Sequence, residues 1–439
     1  MMRKTYTFKI ITFGCKVNQY ESAYIGEKLK EHKWIEAEID QPANVCIINT
    51  CIVTERAAFQ SRQAVRRAQR ANPHAKIAMT GCYAQVYEKE LLTIPNIHLL
   101  SGNVGKAELP GAIVKLMDEN QTVCGIPEFT KNTVFEPMPI RSFLDRTRAF
   151  LKIQDGCESY CSYCIVPYSR GPLRSLAPEL VIQNLHALVR EGYREVVLTG
   201  IHLGKYGSDR ENRITLADLL TRIGNEKLSL RVRLSSLEPQ EVSEELIAMM
   251  ASENWLCRHL HIPLQSGDDT ILKKMNRHYT TRDFASLIER IRSQMPLAAI
   301  GVDVMVGFPG ETEPFHQNTL ALIRDLPVSY LHVFPFSKRK GTPASAFPDP
   351  IAPETVKKRA ETIRIIGLEK KRLFYESCLN REFRVLAEGW HAKSRNRIKG
   401  WSDNYLPIAF QSPFLVHNQW VQVVTEEVKG DVLTGKVKE

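Results

Sequence analysis

Cys157, Cys161 and Cys164 share one short loop, Asp155-Gly156-Cys157-Glu158-Ser159-Tyr160-Cys161-Ser162-Tyr163-Cys164, directly after the apolar run Phe150 to Ile153. Three thiolates at CxxxCxxC spacing can hold three irons of a cubane 4Fe–4S cluster and leave the fourth open to a substrate-like ligand. An open iron turns an electron carrier into a catalyst. Structural zinc sites use paired CxxC units or added histidines. Here no fourth ligand stands nearby and the aromatic Tyr163 precedes the last cysteine, which favours the cubane.

A second triad emerges only once elements are assigned. Tyr6–Ile11 precedes a helical stretch 19–32, residues 44–49 precede 54–70, residues 76–80 precede 84–92, and residues 97–100 precede 104–117. Short β-branched strands alternating with helices predict a parallel, doubly wound, flavodoxin-like sheet over residues 1–125. Cys15, Cys51 and Cys82 each follow one of the first three strands. Parallel strands bring their C-terminal ends to one edge, where such folds bind ligands. Gly14 and Gly81 fit a backbone bent closely around a bulky inorganic group. Cys46, Cys124, Cys257 and Cys378 have no partner at ligand spacing and read as packing.

Residues 126–145, with Pro127, Pro137 and Pro139, read as a linker. Over residues 146–375 six strands are expected, at 149–153, 195–199, 230–235, 258–263, 299–306 and 330–335, separated by helical patterns. Six units are two short of a closed eight-fold barrel and predict an open lateral cleft. Residues 338–340 and the loop 343–350 read as a mobile segment near its mouth. From residue 376 to 439 the segments become short and alternating, which predicts a small antiparallel barrel.

At 439 residues, with 43% hydrophobic and 25% charged side chains, the chain should form two or three soluble domains. No run is long and apolar enough to span a membrane, no signal peptide is evident, and a reducing cytoplasm is expected. Lys and Arg exceed Asp and Glu by 59 to 49, which favours a polyanionic partner. Arg62, Arg66 and Arg70 share one helix face with no glutamate between Arg56 and Arg70, as a phosphate-contacting helix would. In the last domain Arg384, Lys393, Arg395, Arg397 and Lys399 alternate with Trp390, Trp401 and Tyr405, a pattern suited to gripping looped RNA.

Thr12-Phe13-Gly14-Cys15-Lys16-Val17-Asn18-Gln19, the Cys51 and Cys82 loops, and Cys157 through Pro167 followed by Arg170-Gly171 resemble the radical S-adenosylmethionine (SAM) methylthiotransferases. The resemblance covers essentially the whole chain, with the last domain as the family's TRAM domain. It is closest to the subgroup acting on N6-threonylcarbamoyladenosine at position 37 of tRNA. Sister enzymes act on isopentenyladenosine or on a ribosomal protein. A rival of another class is an RNA-binding module that keeps the cysteines as structural ligands only.

The resemblance implies two 4Fe–4S clusters. Cys157, Cys161 and Cys164 would hold the SAM-cleaving one, and Cys15, Cys51 and Cys82 an auxiliary one that carries sulfur. One SAM would donate a methyl group and another would yield the 5′-deoxyadenosyl radical that activates C2 of the adenine. Residues expected around SAM are Tyr163, Thr199, Gly200, Arg233, Ser235, Ser236, Gly307 and Phe308. The implied partners are the tRNA anticodon arm, an electron donor such as flavodoxin or ferredoxin, and a sulfur donor left unspecified. Arg170 or Arg174 is expected to meet the carboxylate of the threonylcarbamoyl group.

Overall fold

A computed structural model describes residues 5–438 except 39–40, 120–122, 144–145, 392–393 and 413–414, with backbone alone at 123–124 and 394–396. The first domain is an all-parallel sheet in the order β2-β1-β3-β4-β5-β6, formed by β1 (Thr7–Thr12), β2 (Ile35–Glu36), β3 (Val45–Thr50), β4 (Lys76–Gly81), β5 (Leu99–Leu100) and β6 (Val123–Cys124). β3 is buried along its whole length, as a central strand covered on both faces must be. Helices α1 (Lys16–Glu31) and α2 (Glu55–Ala71) follow β1 and β3, so Cys15 and Cys51 leave the same sheet edge.

Three expectations change here. The helix anticipated over 84–92 divides into α3 (Cys82–Val86) and a short turn, Glu88–Leu91. The two-residue strands β2 and β6 were too short to show a period. The linker is a packed strap, because Met138, Ile140 and Phe143 are buried and the Tyr20 hydroxyl donates to Met138 O at 2.5 Å.

In the second domain β7 (Arg148–Lys152) lies beside β10 (Glu195–Thr199) and β11 (Arg231–Leu234), while β12 (His259–Gln265), β13 (Ala299–Val306) and β14 (Tyr330–Pro335) form the other half. All these pairings are parallel, and a bridge from Val232 to Leu256 joins the halves. This is the expected partial barrel. A small antiparallel pair, β8 (Gln154–Asp155) with β9 (Arg174–Ser175), pinches the cysteine loop at its base. Capping boxes at Thr215/Asp218 and Thr280/Asp283 start the outer helices Leu216–Asn225 and Thr281–Gln294. Among the described residues no helix is long and apolar enough to cross a membrane.

The last domain is a closed barrel in the order β15-β16-β17-β19-β18, made of β15 (Glu382–His391), β16 (Ser394–Trp401), β17 (Pro407–Gln411), β18 (Trp420–Lys429) and β19 (Val432–Val437). It is mixed where an antiparallel one was expected, since β17 and β19 run parallel. The basic stretch read as an RNA grip is itself the strand β16, whose Ile398 is fully buried.

A buried triad fixes this barrel to the second domain. Glu195, fully buried, accepts from Arg233 Nε at 2.8 Å and from Arg231 Nε and Nη2, and the two guanidiniums also reach the carbonyls of Arg384, Trp401, Ser402 and Asp403. Burial opposes the carboxylate's charge, but Arg231 and Arg233 outweigh it and hold the group at about 2. Glu195→Gln should therefore cost roughly 3–5 kcal/mol at neutral pH, because two arginines stay buried without their counter-charge. Since the folded value is depressed, the contribution is complete above the ordinary carboxylate range and is lost as pH falls toward about 2. Denaturant unfolding of variant and parent at neutral pH checks this, and a difference under ~1 kcal/mol would refute it.

Candidate active site

Gly14 and Gly81 bring the first triad together. Both adopt φ +98°; a Cβ on Gly14 would stand 2.9 Å from Cys51 Sγ, and one on Gly81 2.5 Å from Thr50 O. Any larger residue would push the three strand-end loops apart. Asn18 locks them, donating to Phe13 O at 2.7 Å and to Thr50 O at 3.0 Å. Thr50 Oγ donates to Thr80 O at 2.6 Å and accepts from Tyr83 N, which fixes the start of α3 and with it Cys82.

The second triad is held from the barrel side. Arg277 Nη1 donates to Cys161 Sγ at 3.3 Å and the Val166 amide to Cys164 Sγ at 3.5 Å. His202 Nδ1 lies 3.4 Å from Cys157 Sγ, and its Nε2 is 2.5 Å from Glu241 Oε1. Burial disfavours charge on this imidazole, yet Cys157 and Glu241 raise it to about 10. Burial likewise pushes the Cys157 thiol up, but His202 reverses the direction and lowers it. At Cys164 and Cys51 burial and the neighbouring thiols outweigh the opposing charges of Arg277 and Arg170 and push each to about 12.

This charge pattern tests whether iron–sulfur groups fit. Thiols that crowd and raise one another call for a cation between them. Around the first triad, Lys106, Lys152, Arg170 and Arg174 are buried against two carboxylates among the described residues, Glu21 and Asp155. The surplus positive charge reaches the sulfurs directly, with Arg170 Nε 3.3 Å from Cys82 Sγ. A net-negative, thiolate-bound group would complete that balance, so the residues around this triad fit such a group.

Both triads face one cavity of about 460 Å³, lined between them by Asn18, Tyr163, Gly200, Ser236, Gln265 and Met305. It opens into a wider outer cavity of about 1350 Å³, with Cys15, Gly200, Ile201 and Ser236 on the shared rim. Thr199 and Ser235 line the outer space, with Lys16, Arg148, His259, Tyr330 and Tyr405. At the junction Asp303 lies 3.1 Å from His261 Nε2 and 3.4 Å from His332 Nδ1. Burial would raise this carboxyl, but the two imidazoles hold it at about 2.

Several expected residues serve elsewhere. Arg233 commits Nε, Nη1 and Nη2 to Glu195 and to carbonyls of the last domain, so its place on the wall of the outer cavity is set by the domain junction. Gly307 lets the helix Pro353–Ser377 approach, since a Cβ there would meet Val356 at 2.4 Å. Phe308 is fully buried in the apolar cluster with Ile271, Met275 and Ala344. Arg170 is sealed by Glu21, Asn18 and Asp155, and Arg174 by Asp155, two carbonyls and the ring of Phe129. Neither can bind RNA from outside. Arg62 is paired with Tyr83, Glu90 and Glu55, whereas Arg66 and Arg70 remain exposed. Trp401 packs at the domain junction with Tyr405, Arg148 and Lys399 against its ring, and Arg397 and Lys399 are half-buried. Lys393 and the Arg395 side chain lie outside the described residues.

The segment read as mobile is a clamp. Arg339 is buried and donates to Ile52 O at 3.3 Å and to Glu55 at 2.7 Å, tying the barrel mouth to the loop that carries Cys51. Cys46, Cys257 and Cys378 are packed in cores as expected, and the Cys124 side chain is outside the described residues. Sequence reasoning missed His202, Glu241 and Arg277. His202 and Arg277 reach their cysteines from loops more than 40 residues away, and Glu241 acts through His202, so no local spacing marks them.

Residues 7–102 match the family described as "Uncharacterized protein family UPF0004", and residues 151–323 match the "Radical SAM superfamily". Over 405 residues the chain is 38% identical to the threonylcarbamoyladenosine tRNA methylthiotransferase MtaB of Bacillus subtilis, covering 91% of this chain and 89% of that one. The Thermotoga maritima MtaB is 34% identical over 98% of this chain and 99% of its own. The chain belongs to the radical SAM methylthiotransferases. A tRNA-2-methylthio-N(6)-dimethylallyladenosine synthase of Clostridium botulinum is 34% identical over 90% of this chain and 88% of its own. Among solved structures the radical SAM methyltransferase TsrM of Kitasatospora setae has a TM-score of 0.55 at 15% identity, covering 78% and 77% of the two chains, a likeness of fold. As a radical SAM enzyme this methylthiotransferase binds SAM and uses iron–sulfur chemistry, and its last barrel is of the TRAM type.

Proposed function

We propose that this methylthiotransferase replaces the C2 hydrogen of N6-threonylcarbamoyladenosine-37 in tRNA with a methylthio group. In this reading Cys157, Cys161 and Cys164 hold a radical-generating 4Fe–4S cluster, and Cys15, Cys51 and Cys82 an auxiliary one. The observation that carries it is the shared 460 Å³ cavity, onto which both triads open. When bound, these groups and SAM supply one-electron cleavage of SAM and a transferable sulfur.

The chain's own residues do the rest. Arg277, His202 and the Val166 amide put N–H donors on the three barrel sulfurs, spreading thiolate charge and fixing the loop. Tyr163, Ile165, Leu237, Met305 and Phe334 give the inner cavity an apolar wall that excludes water from reactive species. Ser236 and Gln265 offer polar contacts for SAM beside Gly200. C2 is an unactivated aromatic carbon, so the base must be held within about an ångström of its productive position. The outer cavity is wide enough for a nucleotide flipped out of the anticodon loop. The exposed Arg66 and Arg70 and the TRAM barrel would grip that arm, and a flavodoxin- or ferredoxin-type donor would supply electrons.

Anaerobically reconstituted protein, given SAM, reductant and tRNA bearing N6-threonylcarbamoyladenosine-37, should yield the 2-methylthio nucleoside by mass spectrometry of the digested tRNA. Product from isopentenyladenosine-37 tRNA alone would overturn the substrate assignment. Absence of 5′-deoxyadenosine under all conditions would overturn the reaction.

A further inference from the structure

Resting on that reading, we propose that Lys16 is the group that recognises the carboxylate of the threonylcarbamoyl substituent and so selects this substrate. Selecting an anionic N6 substituent requires a cation that is near the auxiliary triad, open to the cavity and not already committed. Most cations around the two cavities fail one of these conditions. Arg170 and Arg233 are buried in the networks described above. Arg277 is bound to Glu238 and Cys161 Sγ, and Arg148 to Glu388 at 3.0 Å. Arg146 has no ion pair among the described residues, but it lies over Phe150 on the outer flank, where it also borders a separate groove along α1.

Lys16 meets all three. It directly follows Cys15, lines the outer cavity where this joins the inner one, is exposed, and has no hydrogen bond or ion pair among the described residues. Its backbone is the first residue of α1, so its Cα is fixed by the same turn that fixes Cys15. The chemistry of the base makes this position the relevant one. C2 and C6 of adenine are both bonded to N1, so the N6 substituent leaves from the edge that also carries C2. With C2 presented to the triad that Cys15 belongs to, that substituent would extend toward the rim where Cys15 borders both cavities and Lys16 lines the outer one. The same ammonium works against a hydrocarbon substituent, which would desolvate the charge without pairing it.

The test is discrimination between ligands. Anaerobic, cluster-loaded parent, Lys16→Gln and Lys16→Arg proteins are compared for Kd on one tRNA with and without the threonylcarbamoyl group, and for kcat/KM on the modified tRNA. Loss of a charge-assisted contact predicts that Lys16→Gln lowers kcat/KM by about 10- to 100-fold and brings the ratio of the two Kd values toward one. Lys16→Arg, with the charge kept, should retain most of the ratio. Iron content shows that Cys15 still ligates in each variant. A Lys16→Gln protein that keeps the parent's ratio, or a parent that methylthiolates this tRNA without discriminating, overturns the proposal. A parent that fails to methylthiolate it overturns the reading of function instead.

Discussion

Cys157→Ala protein should form no 5′-deoxyadenosine from SAM under reduction, whereas Cys51→Ala should still form it and deliver no methylthiolated tRNA. The two losses separate because the triads hang on different elements. Cys157, Cys161 and Cys164 are fixed by β8, β9 and the Arg277 and His202 loops, and none of these carries Cys51. Cys51 leaves β3 against Gly14 and shares its environment with Cys15 and Cys82. Removing a direct ligand should exceed the roughly 10- to 100-fold penalty typical of losing an outer-shell partner, so each lost activity should fall to background. Bound iron should drop by about half in each variant, since each triad would hold one cubane. A Cys51→Ala enzyme that lost deoxyadenosine formation as completely as Cys157→Ala would mean that the triads do not act as two sites.

The cysteines were legible because their signal is local. A CxxxCxxC loop needs no tertiary information, and a cysteine at the end of each of three predicted parallel strands needs only the rule that such ends share an edge. The arginines were illegible for the converse reason. A guanidinium has the same sequence signature whether it faces RNA or a buried carboxylate, and only the fold brings Glu21 to Arg170 or Glu195 to Arg233. The uninterrupted basic face of α2 misled in the same way, because Arg62 is neutralised by Glu90 from another element. At Gly307-Phe308 the glycine marks a true close approach, but to Val356 of a packing helix and not to a ligand. Strand β16 was hidden because its outward positions are charged, which read as a solvated grip even though Ile398 and Gly400 alternate inward.

Glu21→Gln should loosen the N-terminal domain from the barrel and, with it, the auxiliary site. Glu21 sits on α1, 1% exposed, and accepts from Arg170 at 2.5 Å, Lys106 at 2.6 Å and Lys152 at 3.2 Å. Burial alone would raise its carboxyl, yet these three cations hold it well below the ordinary carboxylate range. Lys152 belongs to β7 and Arg170 follows the cysteine loop, so this one carboxylate joins elements on both sides of the cavity. Glutamine keeps the shape but leaves Asp155 as the sole carboxylate among four buried cations, a loss of about 3–5 kcal/mol. The consequence is local before it is global. Arg170 also donates to Cys82 Sγ and to Asn18, the residue that clamps the Cys15 and Cys51 loops. Hydrogen exchange should therefore accelerate first in α1 and around Asn103–Lys106, while the outer barrel helices stay protected. The auxiliary site should also reconstitute less iron than the SAM-cleaving one. Uniform protection in the variant, or an unfolding free energy within ~1 kcal/mol of the parent, would show that the network is not what joins the two triads.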